Sequence, residues 1–233
     1  KGVYTLKEGV ASDKNTIAAI WFGPGTLKLK DQNGDGLINT SDKVVLGNAT
    51  PKHTGGFNLT AQYKGLDISA FFNWVYGNDV YNANKNAFTS KWSDFNYRNL
   101  LTIMDSDHRF TTISKETGNL VTNPDELAAM NTNAKMWSPL YTTPVLYDWI
   151  VEDGSFLRLN TVTLGYTLPH NITKKLGINK LRVFASGYNL WIWTKYTGYD
   201  PEVNSVPGAL TPGIDFSAYP RSRAVNVGLN VEF

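Results

Sequence analysis

The feature that most constrains this chain is an alternation of apolar and polar residues with period two, sustained over runs of about ten residues. Phe57, Leu59, Ala61 and Tyr63 alternate with Asn58, Thr60, Gln62 and Lys64. After Lys64-Gly65, Leu66, Ile68, Ala70, Phe72, Trp74 and Tyr76 alternate with Asp67, Ser69, Phe71, Asn73 and Val75. Period two sends successive side chains to opposite faces of a strand, and two such runs across a short glycine turn form a hairpin. The last run sets Val225, Val227, Leu229, Val231 and Phe233 against Ala224, Asn226, Gly228, Asn230 and Glu232, and ends on the aromatic Phe233. Two further runs, Phe156–Leu168 and Leu181–Trp193, have mixed faces but are rich in β-branched or aromatic residues. Pro169–Lys180 between them carries turn residues. A shorter run, Val145–Val151, is expected to pair with the first of them. Helical period is weak; Pro124 and Asp125 are start signals for one short helix over Asp125–Met130. The expected class is all-β, with antiparallel strands.

Composition narrows the setting. The chain has 233 residues, 22 Lys+Arg against 20 Asp+Glu, and a net charge of +2. That near-neutral balance leaves no basic footprint for nucleic acid. With no cysteine, disulfides, zinc-thiolate sites and thiol nucleophiles are excluded. Ile17–Phe22, the longest apolar run, is far short of the roughly 20 residues of a spanning helix. Lys1–Asn15 lacks the apolar core of a signal peptide. A transmembrane β-barrel needs neither: its trace is alternating, aromatic-rich segments with short turns on one side and long loops on the other. Charged residues are only 18% and aromatics 13%. The stretches Gly77–Thr143 and Tyr196–Pro220 are long, polar and free of period, which marks functional loops.

Five motifs carry a family resemblance. They are Asp31-Gln32-Asn33-Gly34-Asp35-Gly36-Leu37-Ile38-Asn39 with Val45-Leu46-Gly47-Asn48-Ala49-Thr50-Pro51; Gly65-Leu66-Asp67-Ile68-Ser69-Ala70-Phe71-Phe72 with Gly77-Asn78-Asp79-Val80-Tyr81-Asn82; Glu152-Asp153-Gly154-Ser155-Phe156-Leu157-Arg158-Leu159-Asn160 with Leu164-Gly165-Tyr166-Thr167-Leu168-Pro169; Leu181-Arg182-Val183-Phe184-Ala185-Ser186-Gly187-Tyr188-Asn189-Leu190 with Thr197-Gly198-Tyr199-Asp200-Pro201-Glu202; and Tyr219-Pro220-Arg221 before the last strand. In this order they resemble the SusC/RagA-type TonB-linked outer-membrane transporters, from about Gly25 to Phe233. The resemblance implies that residues 1–233 are the C-terminal part of a β-barrel of about 22 strands, present as a partial barrel with long extracellular loops. At about 10 residues per strand the chain would supply six to eight of them. The family's plug and TonB-contacting segment would lie upstream, in a chain of which this is a fragment. The resemblance further implies uptake of a glycan or peptide across the cell outer membrane, surrounding lipid, coupling to TonB through that upstream region, and a SusD-like surface lipoprotein as cap. It also implies that the last strand, with Val225, Val227, Leu229, Val231 and Phe233, is read by the barrel-assembly machinery.

Within the chain, Asp31-x-Asn33-x-Asp35-Gly36-x-Ile38-x-x-x-Asp42 matches the front of an EF-hand-type loop. Asp31, Asn33 and Asp35 supply side-chain oxygens, Leu37 a backbone carbonyl, and Asp42 stands where the bidentate Glu is usual. Structural Ca²⁺ is the implied ion; an Asx-rich turn held by its own hydrogen bonds is the competing reading. Trp74, Tyr76, Trp191 and Trp193 suit an interfacial girdle. Trp92, Phe95, Tyr97, Trp137 and Tyr141, in the long loop, are candidates for stacking on sugar. Enzyme signals are poor. His53, His108 and His170 form no metal pair, and no nucleophile or phosphate motif occurs. Glu152 and Asp153 fall on opposite faces of a strand. Asp105, Asp107, His108 and Arg109 read as a polar loop cluster. The alternative to a transporter is a secreted, calcium-stabilised β-sandwich that binds carbohydrate; a glycosidase would need a convergent carboxylate pair, and none is specified.

Overall fold

A computed structural model describes residues 25–90, 99–139, 146–205 and 211–233. Its strands are β1 (His53–Tyr63), β2 (Leu66–Tyr76), β3 (Asp79–Asn82), β4 (Val151–Asp153), β5 (Phe156–Thr167), β6 (Lys180–Thr194), β7 (Ile214–Asp215) and β8 (Ala224–Glu232). Its helices, all short, are α1 (Ala83–Ala87), α2 (Pro124–Met130) and α3 (His170–Thr173). The chain forms two compact units, one of residues 1–46 and 83–150, the other of residues 47–82 and 151–233. No helix among the described residues is long and apolar enough to cross a membrane.

The second unit is built on a five-stranded antiparallel sheet in the order β1-β2-β5-β6-β8. All five long runs of the sequence, three alternating and two mixed, fall on its strands. β1 and β2 meet at a two-residue turn in which Lys64 (φ 46°) and Gly65 (φ 85°) are both left-handed, the type I′ geometry that matches strand twist. A side chain at Gly65 would also meet the Thr167 carbonyl oxygen at 2.6 Å. β5 and β6 are joined by α3 and a 3₁₀ turn over Lys174–Leu176, closed by Gly177 at φ 69°.

Two bulges cross this sheet at one level. Phe71 pairs with Thr161 and Phe72 with Leu159, so Asn160 is an extra residue in β5. Leu159 pairs with Trp191 and Thr161 with Tyr188, so β6 carries one more still. Asn189 takes φ 52° there, and its amide donates to the Ser222 carbonyl at 3.0 Å.

Two expectations are corrected. Val151 does not lead into a partner of β5. It opens β4, which pairs with β3 (Asp79 opposite Asp153), and with β7 these form a separate three-stranded sheet. Gly154 turns the chain between β4 and β5: its N–H donates to the Asn78 carbonyl, and a Cβ there would lie 2.6 Å from Val80. Among the described residues the wall has five strands against the six to eight expected, because β3, β4 and β7 are short and stand outside it. Val145 itself, like Ile17–Phe22, lies outside the described residues.

The first unit has its own small core: Phe110, Val121 and Leu127, with Met130 and Ala134 against them. α2 starts where expected. Pro124 is its first residue, and the Asn123 side-chain oxygen accepts from Asp125 N and Glu126 N at 2.9 and 3.2 Å, satisfying amides left free at a helix start.

Candidate functional site

The strand register divides the five-stranded sheet into two chemically different faces. Partners across a ladder share a face, so each row can be followed from β1 to β8. One row is Tyr63, Leu66, Tyr166, Val183 and Leu229; the next is Ala61, Ile68, Leu164, Ala185 and Val227; the next is Leu59, Ala70, Val162, Gly187 and Val225. Beyond the bulges the same face continues with Phe57, Phe72, Leu159 and Trp191, then Gly55, Trp74, Leu157 and Trp193. No charged residue occurs in these rows. Aromatic residues stand at both ends of the face: Tyr63 and Tyr166 beside the short turns, Trp74, Trp191 and Trp193 beside the long loops. Trp74 covers Gly55, and its indole N–H donates to His53 Nδ1 at 3.0 Å.

The opposite face is polar. Its rows include Thr60, Ser69, Thr163, Ser186 and Asn226, and Gln62, Asp67, Gly165, Phe184 and Gly228, with Thr167, Arg182 and Asn230 in the row beyond. Thr163 and Ser186 share a hydrogen bond of 2.8 Å. Arg182 on β6 reaches across β5 to Asp67 on β2, Nε donating to Oδ1 at 2.9 Å and Nη2 to Oδ2 at 2.5 Å. The bridge passes over Gly165, where a Cβ would meet the Asp67 carboxylate at 2.6 Å. Glycine is the residue that leaves room for it.

The apolar face is exposed. Leu59 is 58% accessible and Val227 74%, and of the wall strands only Phe156 contributes a large buried apolar side chain. From Leu66 to Trp74 the face runs about 27 Å along β2, or about 20 Å once a strand tilt of about 40° is allowed for. Strands about 4.8 Å apart make it roughly 24 Å wide, an apolar area on the order of 650 Å². A soluble monomer seldom exposes more than about 300–600 Å² in one patch. The height approaches that of the apolar band of a membrane barrel, about 25 Å.

At the loop end of the polar face the second unit holds a dense ionic cluster. Arg158, on β5, is 4% exposed and donates to Asp200 at 2.6 Å. Glu202 lies 3.6 Å from Arg158 and 2.9 Å from Arg221. Glu152 accepts from Thr197 N and Oγ1, each at 2.8 Å, and from the Asn82 amide at 3.0 Å. The Tyr196 hydroxyl donates to the buried Asp215 carboxylate at 2.6 Å. Burial, then that bond to an anion, push the Tyr196 hydroxyl far above its usual range. These contacts tie the segment after β6 to the short sheet. No sequence period marks them, because each joins residues distant in the chain.

The residues singled out from sequence fall as follows. In the Asp31–Asp42 loop, the Asp31 carboxylate accepts from Gly34 N and Gly36 N, each at 2.7 Å; Asn33 Oδ1 accepts from Asp35 N at 2.9 Å; Asp35 accepts from Leu37 N at 2.7 Å. Asp42 accepts from Asn39 N and Gln32 N, each at 2.8 Å, and those amides, Asn39 first, hold its carboxyl below the usual range. Gly34 and Gly36 have φ 77° and 81°. Ile38 is buried and Leu37 half-exposed. Among the described residues no three His, Cys, Asp or Glu side chains are grouped as a metal centre would group them. Trp137 is 7% exposed and lies edge-on to Tyr147 and to Trp149, with the Lys85 ammonium 3.9 Å from the Trp149 ring. Trp92, Phe95, Tyr97 and Tyr141 lie outside the described residues. Val225, Val227, Leu229 and Val231 line the apolar face of β8, with Phe233 just past its end and 85% exposed. Asp105 accepts from His108 Nδ1 at 2.7 Å, and Asp107 pairs with Lys115; both pairs are exposed. Glu152 and Asp153 make separate bonds, Asp153 accepting from Ser155 N at 2.9 Å.

An antiparallel sheet with one apolar and one polar face, aromatic rims, short turns at one end and long loops at the other is the wall of a transmembrane β-barrel, here open rather than closed. Comparison with known proteins gives the kind of barrel. No protein-family model matches the chain. It is 31% identical over 214 residues to TonB-dependent receptor P26 of Formosa agariphila, covering 90% of this chain and 20% of that one. It is 29% identical over 244 residues to TonB-dependent receptor P3 of the same organism, covering 100% and 21%. It is 27% identical over 206 residues to TonB-dependent receptor SusC of Bacteroides thetaiotaomicron, covering 87% and 17%. Among solved structures it matches the RagAB peptide transporter with a TM-score of 0.59 at 24% identity, over 86% of this chain and 20% of that one. The chain thus spans about a fifth of the length of the curated relatives it matches. Its homologues are TonB-dependent receptors, transporters rather than enzymes, and the likeness to the SusC/RagA type holds across most of its length.

Proposed function

We propose that the chain is the C-terminal part of the barrel wall of a TonB-dependent importer of the outer membrane. The observation that carries this is the unbroken apolar face, in register over five strands and backed by a polar face. In this reading the apolar face meets lipid and the polar face lines the interior. The Lys64-Gly65 turn and the β5–β6 connection lie on the periplasmic side, and the long loops on the outside. The importer takes up a glycan or a peptide, is driven by TonB through a region outside this chain, and works with a SusD-like surface lipoprotein. The peptide arm draws on the RagAB peptide transporter, which shares the fold. β8 with Phe233 is the strand that the barrel-assembly machinery reads. A β-sandwich would bury its apolar face against a second sheet, whereas here that face is exposed. The test is expression of the full-length receptor. It should require detergent for extraction and migrate as a compact species on an unheated gel; recovery in the soluble fraction without detergent overturns the proposal.

The Asp31–Asp42 loop is, in the same reading, a structural Ca²⁺ loop. Gly36 has the left-handed φ that the sharp turn needs, and carboxylate oxygens that accept one N–H retain further acceptor capacity. Its ligands are Asp31, Asn33, Asp35, the Leu37 carbonyl and Asp42, and the ion's role is to pin the loop rather than to take part in transport. Ca²⁺ binding requires the loop to draw these oxygens together. Calorimetric titration of the receptor with Ca²⁺ tests this, and the absence of any binding heat overturns it.

A further inference from the structure

We infer that the turn end of the wall carries a rim for anionic phospholipid headgroups, formed by Lys64, Lys174 and Lys175. The inference rests on the importer reading, which puts this end at the periplasmic leaflet, and adds a lipid preference to it. Charge is divided unevenly along the sheet. At the loop end cations and carboxylates are matched, as in the cluster of Arg158, Asp200, Glu202 and Arg221. In the turn-end stretches 58–73, 159–190 and 225–233 the only acidic residues are Asp67 and Glu232. Asp67 is bridged by Arg182, and Glu232 stands opposite Lys180 in the ladder, on the polar face. Lys64, Lys174 and Lys175 remain as a surplus of positive charge. All three are exposed, and among the described residues none of them is ion-paired.

Two observations place this surplus at the margin of the apolar face. The Lys64 ammonium lies 5.2 Å from the centroid of the Tyr63 ring, and Tyr63 belongs to the last apolar row at this end. Thr167 N donates to the Gly65 carbonyl at 2.7 Å, so the hairpin turn sits directly beside the start of the connection that carries Lys174 and Lys175. That connection also exposes Ile172, at 51%. Lysines beside tyrosine and an exposed apolar side chain suit the boundary where hydrocarbon gives way to headgroups: the stem lies along apolar surface and the ammonium reaches the polar layer. An acidic protein would be drawn by the charge but not by the apolar margin on which it stands. The residue type sets the selectivity. Lysine is a point charge without the planar fork with which arginine grips a phosphate. The rim therefore reads net charge rather than headgroup shape. It prefers phosphatidylglycerol, which is anionic, to phosphatidylethanolamine, which carries a phosphate but no net charge. Each lysine near an anionic surface is worth about a five-fold preference.

The experiment titrates the full-length receptor, in a non-ionic detergent, with phosphatidylglycerol and phosphatidylethanolamine of the same acyl chains, and counts bound lipid by native mass spectrometry. The parent should bind phosphatidylglycerol at least roughly ten-fold tighter, with the margin shrinking as ammonium acetate is raised. Lys64→Gln alone should narrow the margin about five-fold, and the triple variant Lys64→Gln, Lys174→Gln, Lys175→Gln should bring it within about two-fold. Phosphatidylethanolamine binding and mobility on an unheated gel should stay as in the parent, which controls for folding. Lys180→Gln, beside Glu232 on the polar face, should leave the margin intact. Neither inorganic phosphate nor polyglutamate should displace phosphatidylglycerol. Equal binding of the two lipids by the parent, a preference that survives in the triple variant, or displacement by phosphate or polyglutamate overturns the inference. Failure of the importer reading would show separately, as a receptor that needs no detergent.

Discussion

A charge placed on one face of β1 should behave quite differently from the same charge one residue away. Leu59 and Thr60 are adjacent, both exposed, and on opposite faces of the wall. Leu59 sits in the middle row of the apolar face, four residues along the strand from Tyr63 and four from Gly55. At about 3.3 Å per residue that is about 13 Å from either end, or about 10 Å along the membrane normal at a tilt near 40°. The position is therefore close to the centre of the hydrocarbon, where an arginine on the lipid face costs about 2–4 kcal/mol. That corresponds to a factor of roughly 30 to 700 in the folded-to-unfolded ratio, at about 1.4 kcal/mol per tenfold. Thr60→Arg places the same charge on the polar face, where the cost should be within about 0.5 kcal/mol. The assay is reversible denaturant unfolding of the full-length receptor in bilayers, followed by the shift between folded and unfolded bands on an unheated gel. Leu59→Arg should lower the midpoint clearly and Thr60→Arg should not. Equal effects, or a larger effect at Thr60, would refute the assignment of faces. A soluble sandwich with this residue on its surface would give no penalty at Leu59.

Three further outcomes follow from local geometry. Gly165→Val should destabilise the wall by about 1–3 kcal/mol, the usual cost of overpacking, and separate Asp67 from Arg182; an unchanged unfolding midpoint would contradict the steric role assigned to the glycine. Tyr196→Phe removes the donor to buried Asp215 and should cost about 1–3 kcal/mol; because the folded hydroxyl titrates above its unfolded value near 10, the stability it contributes is complete below that pH and lost only as pH rises through the higher folded value, so absorbance titration should show this tyrosine ionising after the others. Asp42 has the opposite sign: its folded carboxyl lies below the unfolded value near 3.9, so its contribution is present above that pH and lost as pH falls through the lower folded value. Protection of the Gln32 and Asn39 amides against hydrogen exchange, relative to the intrinsic rate at each pH, should fall over that acid window, and an Asp42→Asn variant should show reduced protection already at neutral pH.

Much of the wall was legible because its code is local. Leu66–Tyr76 is a strand over its whole alternating run, and the hairpin turn is fixed by a glycine at a left-handed position. The run from Phe156 reads as mixed in sequence for a physical reason. Leu157 and Leu159 are in one phase and Val162, Leu164 and Tyr166 in the other, and the extra residue Asn160 brings both sets to one face. A phase slip within a strand is thus the sequence mark of a bulge. The short strands β3, β4 and β7 were not legible, since two to four residues show no period and β7 meets β3 across more than a hundred residues of chain. The same is true of the site. Arg158, Asp200, Glu202 and Arg221 stand in ordinary-looking loop and strand positions, and only the fold brings them together. The Asp31–Asp42 spacing was visible, and Gly34 and Gly36 within it both take left-handed φ.

The open ends of the sheet set a condition on where this chain can reside. Among the described residues β1 and β8 each have one neighbour, so along 11 and 9 residues every second peptide group points outward without a strand partner. That is about ten peptide units facing sideways in the plane of the sheet. In hydrocarbon each unsatisfied group costs several kcal/mol, so the two margins together represent many tens of kcal/mol, more than the net stability of an entire domain. On the proposed importer reading, the apolar face can enter a bilayer only once both margins are paired with further strands. Pairing of both margins is therefore a precondition of insertion for this wall, and not a consequence of it.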